Sequence, residues 1–160
     1  MPNTYVVYSA RMAEFDGAVV VNPYPHFIFV PGSNSALSLI RIDTSWRSLD
    51  SSLMYDDLRI GIEAHAGTYD PGSAAGGPYA AVALSDVYPL SDTAVYLDTS
   101  IGNTESDYIC SFAHGDSLKT LDFADAGGWT VSAGGYLEIR MSAVRMRYFA
   151  MAFYFEETSP

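Results

Sequence analysis

Apolar and polar residues alternate along most of this chain, which is the pattern of β-strands with one buried face. The clearest example is residues 58–65, LRIGIEAH, in which every second residue is apolar. Turn-forming clusters such as NPYP at 22–25 and DAGG at 125–128 separate these segments. The predicted strands are residues 4–10, 17–22, 26–30, 37–42, 58–65, 79–88, 93–97, 107–113, 118–123, 129–133, 136–141 and 144–156.

Helical periodicity is weak throughout the chain. Only within and directly after the region 45–52 are apolar residues spaced three and four apart, which predicts a short helical turn there. Roughly ten short strands at spacings of about 8–12 residues favour an all-β fold, a single antiparallel β-sandwich or jelly roll. The 160 residues contain no internal repeat, so we predict one domain spanning 1–160.

Two predicted strands are apolar on both faces. In strand 26–30, Phe27 and Phe29 point away from Ile28 and Val30. The last strand likewise has large apolar residues on one face and Tyr or Ala on the other. Antiparallel sandwiches usually leave one face in water, so the second face needs a cover, either loops of the same chain or another subunit. The size of the patch favours a subunit, and the predicted interface residues in the last strand are Phe149, Met151, Phe153 and Phe155.

A glycine- and proline-rich segment, GTYDPGSAAGGPY at 67–79, is too long for a tight hairpin. Its small residues and two prolines predict a surface loop without a regular strand. The functional alternative is a contact arm that becomes ordered against a neighbouring subunit. In that case Tyr69 and Tyr79 join the predicted interface.

Composition narrows the function classes. With 49% hydrophobic residues the chain is too apolar for intrinsic disorder, and no apolar run reaches the length of a membrane span. A net charge of −11 and a single lysine disfavour nucleic acid and membrane surfaces as partners. The N-terminal residues lack the charged start and apolar centre of a secretory signal, so we expect synthesis and folding in a cytoplasm.

No motif for catalysis, cofactor binding or metal binding is present. The lone Cys110 lies in an apolar stretch and is expected to be a small buried residue. The three histidines are far apart, although folding could still bring His65 together with Asp86 and Ser111. Near residue 125, two aspartates could offer oxygens to Ca²⁺, but the calcium-loop pattern is absent and a surface loop is favoured. We therefore predict no catalytic, cofactor or metal site.

In overall character, though in no particular motif, the chain resembles the small β-sandwich proteins of bacteriophage particles, of the head-decoration, capsid or tail-module kind. The resemblance implies a structural subunit rather than an enzyme, made in the host cytoplasm and assembled into the virion. Its partners would be protein subunits, including copies of itself in a homo-oligomer, with no cofactor.

Two alternatives come from other functional classes. The chain contains 12 tyrosines, several beside predicted loops, which is compatible with a carbohydrate-binding β-sandwich. A β-sandwich or cupin-like enzyme would require His65 or His114 to converge with carboxylates. An exposed row of aromatic rings would distinguish the first alternative, and a histidine–carboxylate cluster the second.

Overall fold

The chain folds into two stacked antiparallel β-sheets in a computed structural model that describes residues 2–9, 26–48, 58–71, 75–79, 81–85, 90–98, 110–112, 118–142 and 146–158. The predicted all-β sandwich is confirmed. One 3₁₀ turn, Ala124–Ala126, accompanies the strands of the described residues. The strands are β1 (Asn3–Ser9), β2 (His26–Val30), β3 (Ala36–Ser48), β4 (Leu58–His65), β5 (Ala75–Tyr79), β6 (Val82–Ala83), β7 (Ala94–Asp98), β8 (Cys110–Phe112), β9 (Lys119–Asp122), β10 (Trp129–Val131), β11 (Tyr136–Ser142) and β12 (Met146–Thr158).

Within the described residues, each sheet contains six strands. Sheet 1 has the order β10–β3–β12–β1–β6, and β9 also pairs with β3 beyond the end of β10. Sheet 2 has the order β5–β7–β2–β11–β4–β8. Strand β11 therefore lies at the centre of sheet 2, between β2 and β4, and this position determines which polar side chains meet on the outer face.

The hydrophobic core lies between the two sheets and is rich in aromatic rings. Phe27 and Phe29 of β2 point inward and meet Phe153 of β12, with ring centroids 4.6 and 5.3 Å apart. Phe155 lies 5.8 Å from Phe29 and stacks on Tyr5 of β1. All five side chains are at most 2% exposed, so the alternation seen in the sequence corresponds to a closed core.

The predicted interface in the last strand requires a correction. Met151, Phe153 and Phe155 are all 0% exposed within a single chain, whereas the side chain of Phe149 lies outside the described residues. Strand β12 runs between β3 and β1, so its large apolar face packs on sheet 2 rather than on a partner. These three residues belong to the core of their own chain.

The second face of strand β2 is also covered within the chain. Ile28, on the face opposite Phe27 and Phe29, is 0% exposed. The expectation that another subunit covers this face is therefore wrong for Ile28. Both faces of sheet 2 are shielded from water at β2, and polar groups placed there need partners inside the protein.

Two local predictions were wrong because strand pairing extended further than the sequence pattern indicated. The predicted helical turn at 45–52 is strand as far as Ser48, since β3 pairs with β12 from Ala36 to Ser48. The predicted loop at 67–79 contains β5, which pairs with β7 at the edge of sheet 2. Its register shifts between Gly76 and Tyr79, and an edge strand with such an irregularity tolerates proline. The predicted strand at 17–22 lies outside the described residues.

Candidate functional site

The outer face of sheet 2 carries a cluster of charged side chains from three neighbouring strands. In β11, Leu137 and Ile139 fill the core, so the residues between and beyond them, Glu138 and Arg140, must point outward. The same alternation in β4 directs Glu63 and His65 outward, and His26 begins β2 on the same face. We call these five residues the charged cluster.

Glu138 is the centre of the charged cluster. Its Oε1 accepts hydrogen bonds from His26 Nδ1 at 2.5 Å and from Arg140 Nε at 3.1 Å. Its Oε2 accepts from His65 Nε2 at 2.7 Å and from Arg140 Nη2 at 3.3 Å. Because the Glu138 side chain is only 3% exposed, four donors replace the water that a carboxylate would otherwise bind.

This arrangement determines the charge of Glu138. Burial by itself raises the pKa of this carboxyl group, but the hydrogen bonds from His26, Arg140 and His65 outweigh it and lower the pKa to about 2. Glu138 is therefore ionised at all ordinary pH values. Both ring nitrogens that face it must carry hydrogens, which specifies Nδ1–H for His26 and Nε2–H for His65.

His26 is fully enclosed. Its ring is 0% exposed, and its second nitrogen, Nε2, has no hydrogen-bond partner among the described residues. We therefore assign His26 as a buried structural support for Glu138.

Glu63 and Glu138 lie directly opposite each other on β4 and β11, a position in which two like charges repel. Arg140 removes this repulsion, because its Nη2 donates to Oε2 of both carboxylates. Glu63, His65 and Glu138 also place one potential metal-ligand atom each within 4.8 Å of one another. Arg140 already donates to both carboxylates in this structure, so we assign the cluster to charge pairing.

A row of four aromatic rings borders the charged cluster. Tyr96 of β7, Tyr69 after β4, and Tyr136 of β11 follow one another with ring centroids 5.4 Å apart at each step. His65 continues the row, stacked on Tyr136 at 4.4 Å with an interplanar angle of 12°. All four residues are partly exposed. We call this set the aromatic row; it offers ring surface to solvent directly beside carboxylates.

Tyr69 is held in the aromatic row by Asp98, whose Oδ2 accepts the tyrosine hydroxyl at 2.5 Å. Burial, and then the hydrogen bond to Asp98, raise the pKa of Tyr69 well above its usual value, so the hydroxyl remains protonated and continues to donate. Burial and the nearby Glu138 also raise the pKa of Tyr136. The hydroxyl groups of Tyr69 and Tyr136 therefore remain protonated at ordinary pH values.

A second polar cluster lies on the outer face of sheet 1. Asp43 accepts two hydrogen bonds from Arg41, at 2.9 and 2.7 Å, and one from Thr120 at 2.7 Å. Arg41 also lies over the ring of Tyr154, 5.0 Å from its centroid. Burial raises the pKa of Asp43, but these hydrogen bonds outweigh it and lower the pKa. The Arg41–Asp43 pair is more exposed than the Arg140–Glu138 pair of the charged cluster, and it provides matched controls for that pair.

Only some of the site residues that were predicted from the sequence lie in the charged cluster or the aromatic row. Tyr69 lies in the aromatic row, and Tyr79 ends β5 opposite Val95, with a side chain outside the described residues. His65 does converge with carboxylates, but Asp86 and His114 lie outside the described residues. Asp122 Oδ1 accepts the backbone N–H of Ala124 at 3.0 Å, which is a turn-stabilising role.

Sequence reasoning missed the convergence of His26, Glu138 and Arg140. A signal was present, because Glu138 and Arg140 stand opposite the apolar series of their strand, as Glu63 and His65 do in theirs. The sequence does not show that β2, β11 and β4 are neighbours in that order. This order brings His26 within hydrogen-bond distance of Glu138, 112 positions later in the chain.

Comparisons of the chain with known protein families, curated proteins and solved structures found no match in any of the three. Among the described residues, none of the helical structure is long and apolar enough to cross a membrane. A functional assignment therefore depends on the chemistry of the charged cluster and the aromatic row.

Proposed function

We propose that this β-sandwich is a carbohydrate-binding module and that the aromatic row is its sugar-contacting surface. The observation that carries the proposal is the continuity of Tyr96, Tyr69, Tyr136 and His65 across the outer face of sheet 2, each of them partly exposed. Tyrosine presents a large apolar ring with a polar end, which suits the faces and hydroxyl groups of a sugar.

The surroundings of the aromatic row support the same proposal. Sugar sites combine apolar rings with a few placed polar groups that fix the orientation of the ligand. Glu63 is 45% exposed and His65 is 25% exposed, so both can reach a bound molecule. Behind them, Glu138 and Arg140 are buried and hydrogen-bonded to each other, which gives the site a rigid base.

Replacing Tyr96 by alanine tests the proposed module, because Tyr96 forms one end of the aromatic row. We expect the variant to bind oligosaccharides about tenfold or more weakly, which is the loss of one ring contact. Binding is measured by glycan array first and by calorimetry on the glycans that bind. Tyr154→Ala is the matched control, a half-buried tyrosine on the other sheet, and should bind like the parent. Absence of glycan binding, or an equal loss in both variants, would overturn the proposal.

An assembly role as a virion-type structural subunit is a second proposal, and it no longer depends on the last strand. It is supported by the exposed apolar residues at edge strand β6. Val82 of this strand is 63% exposed, and Leu84, directly after the strand, is 54% exposed. The backbone N–H of Leu84 bonds to Thr4, which fixes this segment on the sheet. An exposed apolar edge is a place where another chain can pair.

For the assembly proposal we expect the purified chain to form an oligomer in light scattering at micromolar concentration. The double change Val82→Lys and Leu84→Lys should convert it to a monomer, because lysine on an edge strand opposes pairing. Leu118 is 62% exposed and lies directly before β9 of sheet 1. The control variant Leu118→Lys should leave the oligomer intact. A parent protein that is monomeric throughout would contradict the assembly role.

A further inference from the structure

Beside the aromatic row, the half-exposed carboxylate of Glu63 offers oxygens that accept hydrogen bonds. Glu138 is ionised, so His65 donates to it from Nε2. Glu63 uses Oε2 to accept from Arg140, and its Oε1 has no partner among the residues that the structure describes. A ligand that reaches this oxygen has to donate a hydrogen bond.

Two strong donors near Glu63 are already committed. Arg140, the cation of the charged cluster, donates to Glu138 and Glu63 and is largely buried. The hydroxyl of Tyr69 donates to Asp98. Arg140 and the Tyr69 hydroxyl therefore already donate to carboxylates of the protein itself, not to a sugar carboxylate or sulfate. The net charge of −11 also repels an anionic ligand.

We infer that the ligand is an ammonium-bearing sugar, such as an oligomer of glucosamine units, a conclusion that rests on the proposed carbohydrate-binding function. The ammonium group would pair with the half-exposed carboxylate of Glu63 and lie against a neighbouring tyrosine ring, since aromatic faces attract cations. Anionic sugars would be rejected, because they would meet the like charge of Glu63 and the repulsive field of a net charge of −11.

The test compares three probes of similar length by calorimetry just below neutral pH: glucosamine oligomers, their N-acetylated counterparts and oligogalacturonate. We expect the glucosamine oligomers to bind about tenfold more tightly than the N-acetylated ones, corresponding to one charge-assisted contact. Added salt should reduce this advantage, because a half-exposed ion pair is screened. Oligogalacturonate should bind weakest.

Glu63→Gln is the decisive variant, since it removes the charge but keeps an oxygen that accepts from Arg140. It should bring glucosamine binding down towards the level of the N-acetylated probe, so that the preference for the ammonium-bearing sugar is lost. Glu156→Gln, which removes the same charge from the outer face of sheet 1, is the matched control for attraction by net charge and should leave the preference intact.

The outcomes separate this inference from the proposed function. If oligogalacturonate or the N-acetylated probe binds most tightly, and Tyr96→Ala weakens that binding, the module stands and the ammonium preference is wrong. If Glu63→Gln and Glu156→Gln reduce glucosamine binding equally, the attraction is one of net charge and the inference is again wrong. If no probe binds in a way that Tyr96→Ala weakens, the proposed function fails and the inference fails with it.

Discussion

Replacing Arg140 by methionine is expected to lower the free energy of unfolding at neutral pH by about 3–5 kcal/mol, the usual cost of removing one partner of a buried ion pair. Methionine retains much of the length of arginine, so the loss comes from charge and hydrogen bonds and not from an empty space. The variant leaves Glu138, whose side chain is 3% exposed, without its permanent cation and again opposite Glu63. Urea unfolding followed by circular dichroism measures the change.

The decrease in the free energy of unfolding at acidic pH gives a second measurement on the same variant. The pKa of Glu138 is lowered to about 2 in the folded protein, so its contribution is complete above its usual value of 4.5 and disappears as the pH falls towards 2. That contribution is on the order of 3 kcal/mol. In Arg140→Met the folded pKa lies closer to the usual value, so stability should depend less on pH within this interval.

The control for Arg140→Met is Arg41→Met on sheet 1. Arg41 also pairs with a carboxylate, Asp43, but its side chain is 43% exposed, and water can replace the lost contacts. We expect a much smaller change for this variant. Equal effects of the two substitutions would show that burial does not distinguish the clusters and would contradict the structural role assigned to Arg140.

Replacing Phe153 by alanine is expected to lower the free energy of unfolding by about 3–5 kcal/mol, the typical cost of truncating a buried phenylalanine. Phe153 is 0% exposed and contacts Phe27 and Phe29 of the opposite sheet. The cavity would open between the sheets and weaken their contact directly. Phe153→Asp should prevent folding altogether, since it would bury an unpaired charge there.

The phenylalanine substitutions also separate a core residue from an interface residue. Denaturant unfolding and size-exclusion chromatography are recorded together on each variant. Phe123→Ala, a partly exposed phenylalanine beside Trp129, should lose clearly less stability because its site is open to water. A Phe153→Ala protein with parental stability but a smaller oligomer would assign Phe153 to an interface and overturn the core placement.

Much of the strand layout could be predicted from the sequence because strand pairing follows a period of two. The prediction for 26–30 coincides with β2, and those for 58–65 and 136–141 match β4 and β11 within a residue. The errors arose where pairing overrode local chemistry. Strand β3 continues to Ser48 because β12 pairs with it that far, and β5 forms in a proline-containing segment because it needs only one partner, β7.

The candidate site was less predictable than the fold. Alternation places Glu63 and His65 on one face of a strand, and Glu138 and Arg140 on one face of another. It does not say that these strands are neighbours, nor that His26 and Tyr69 join them. A carboxylate with four donors can form only after β2, β11 and β4 have paired in register.

By itself, the amino-acid sequence determined that this chain is all-β and acidic, because alternation, turn residues and charge are local or additive properties. The tertiary structure decided where the apolar faces are buried. It enclosed Met151, Phe153 and Phe155 within their own chain, since an apolar ridge packs against whichever sheet lies nearest. It also decided the site, because hydrogen bonds act only over short distances and depend on which strands become neighbours.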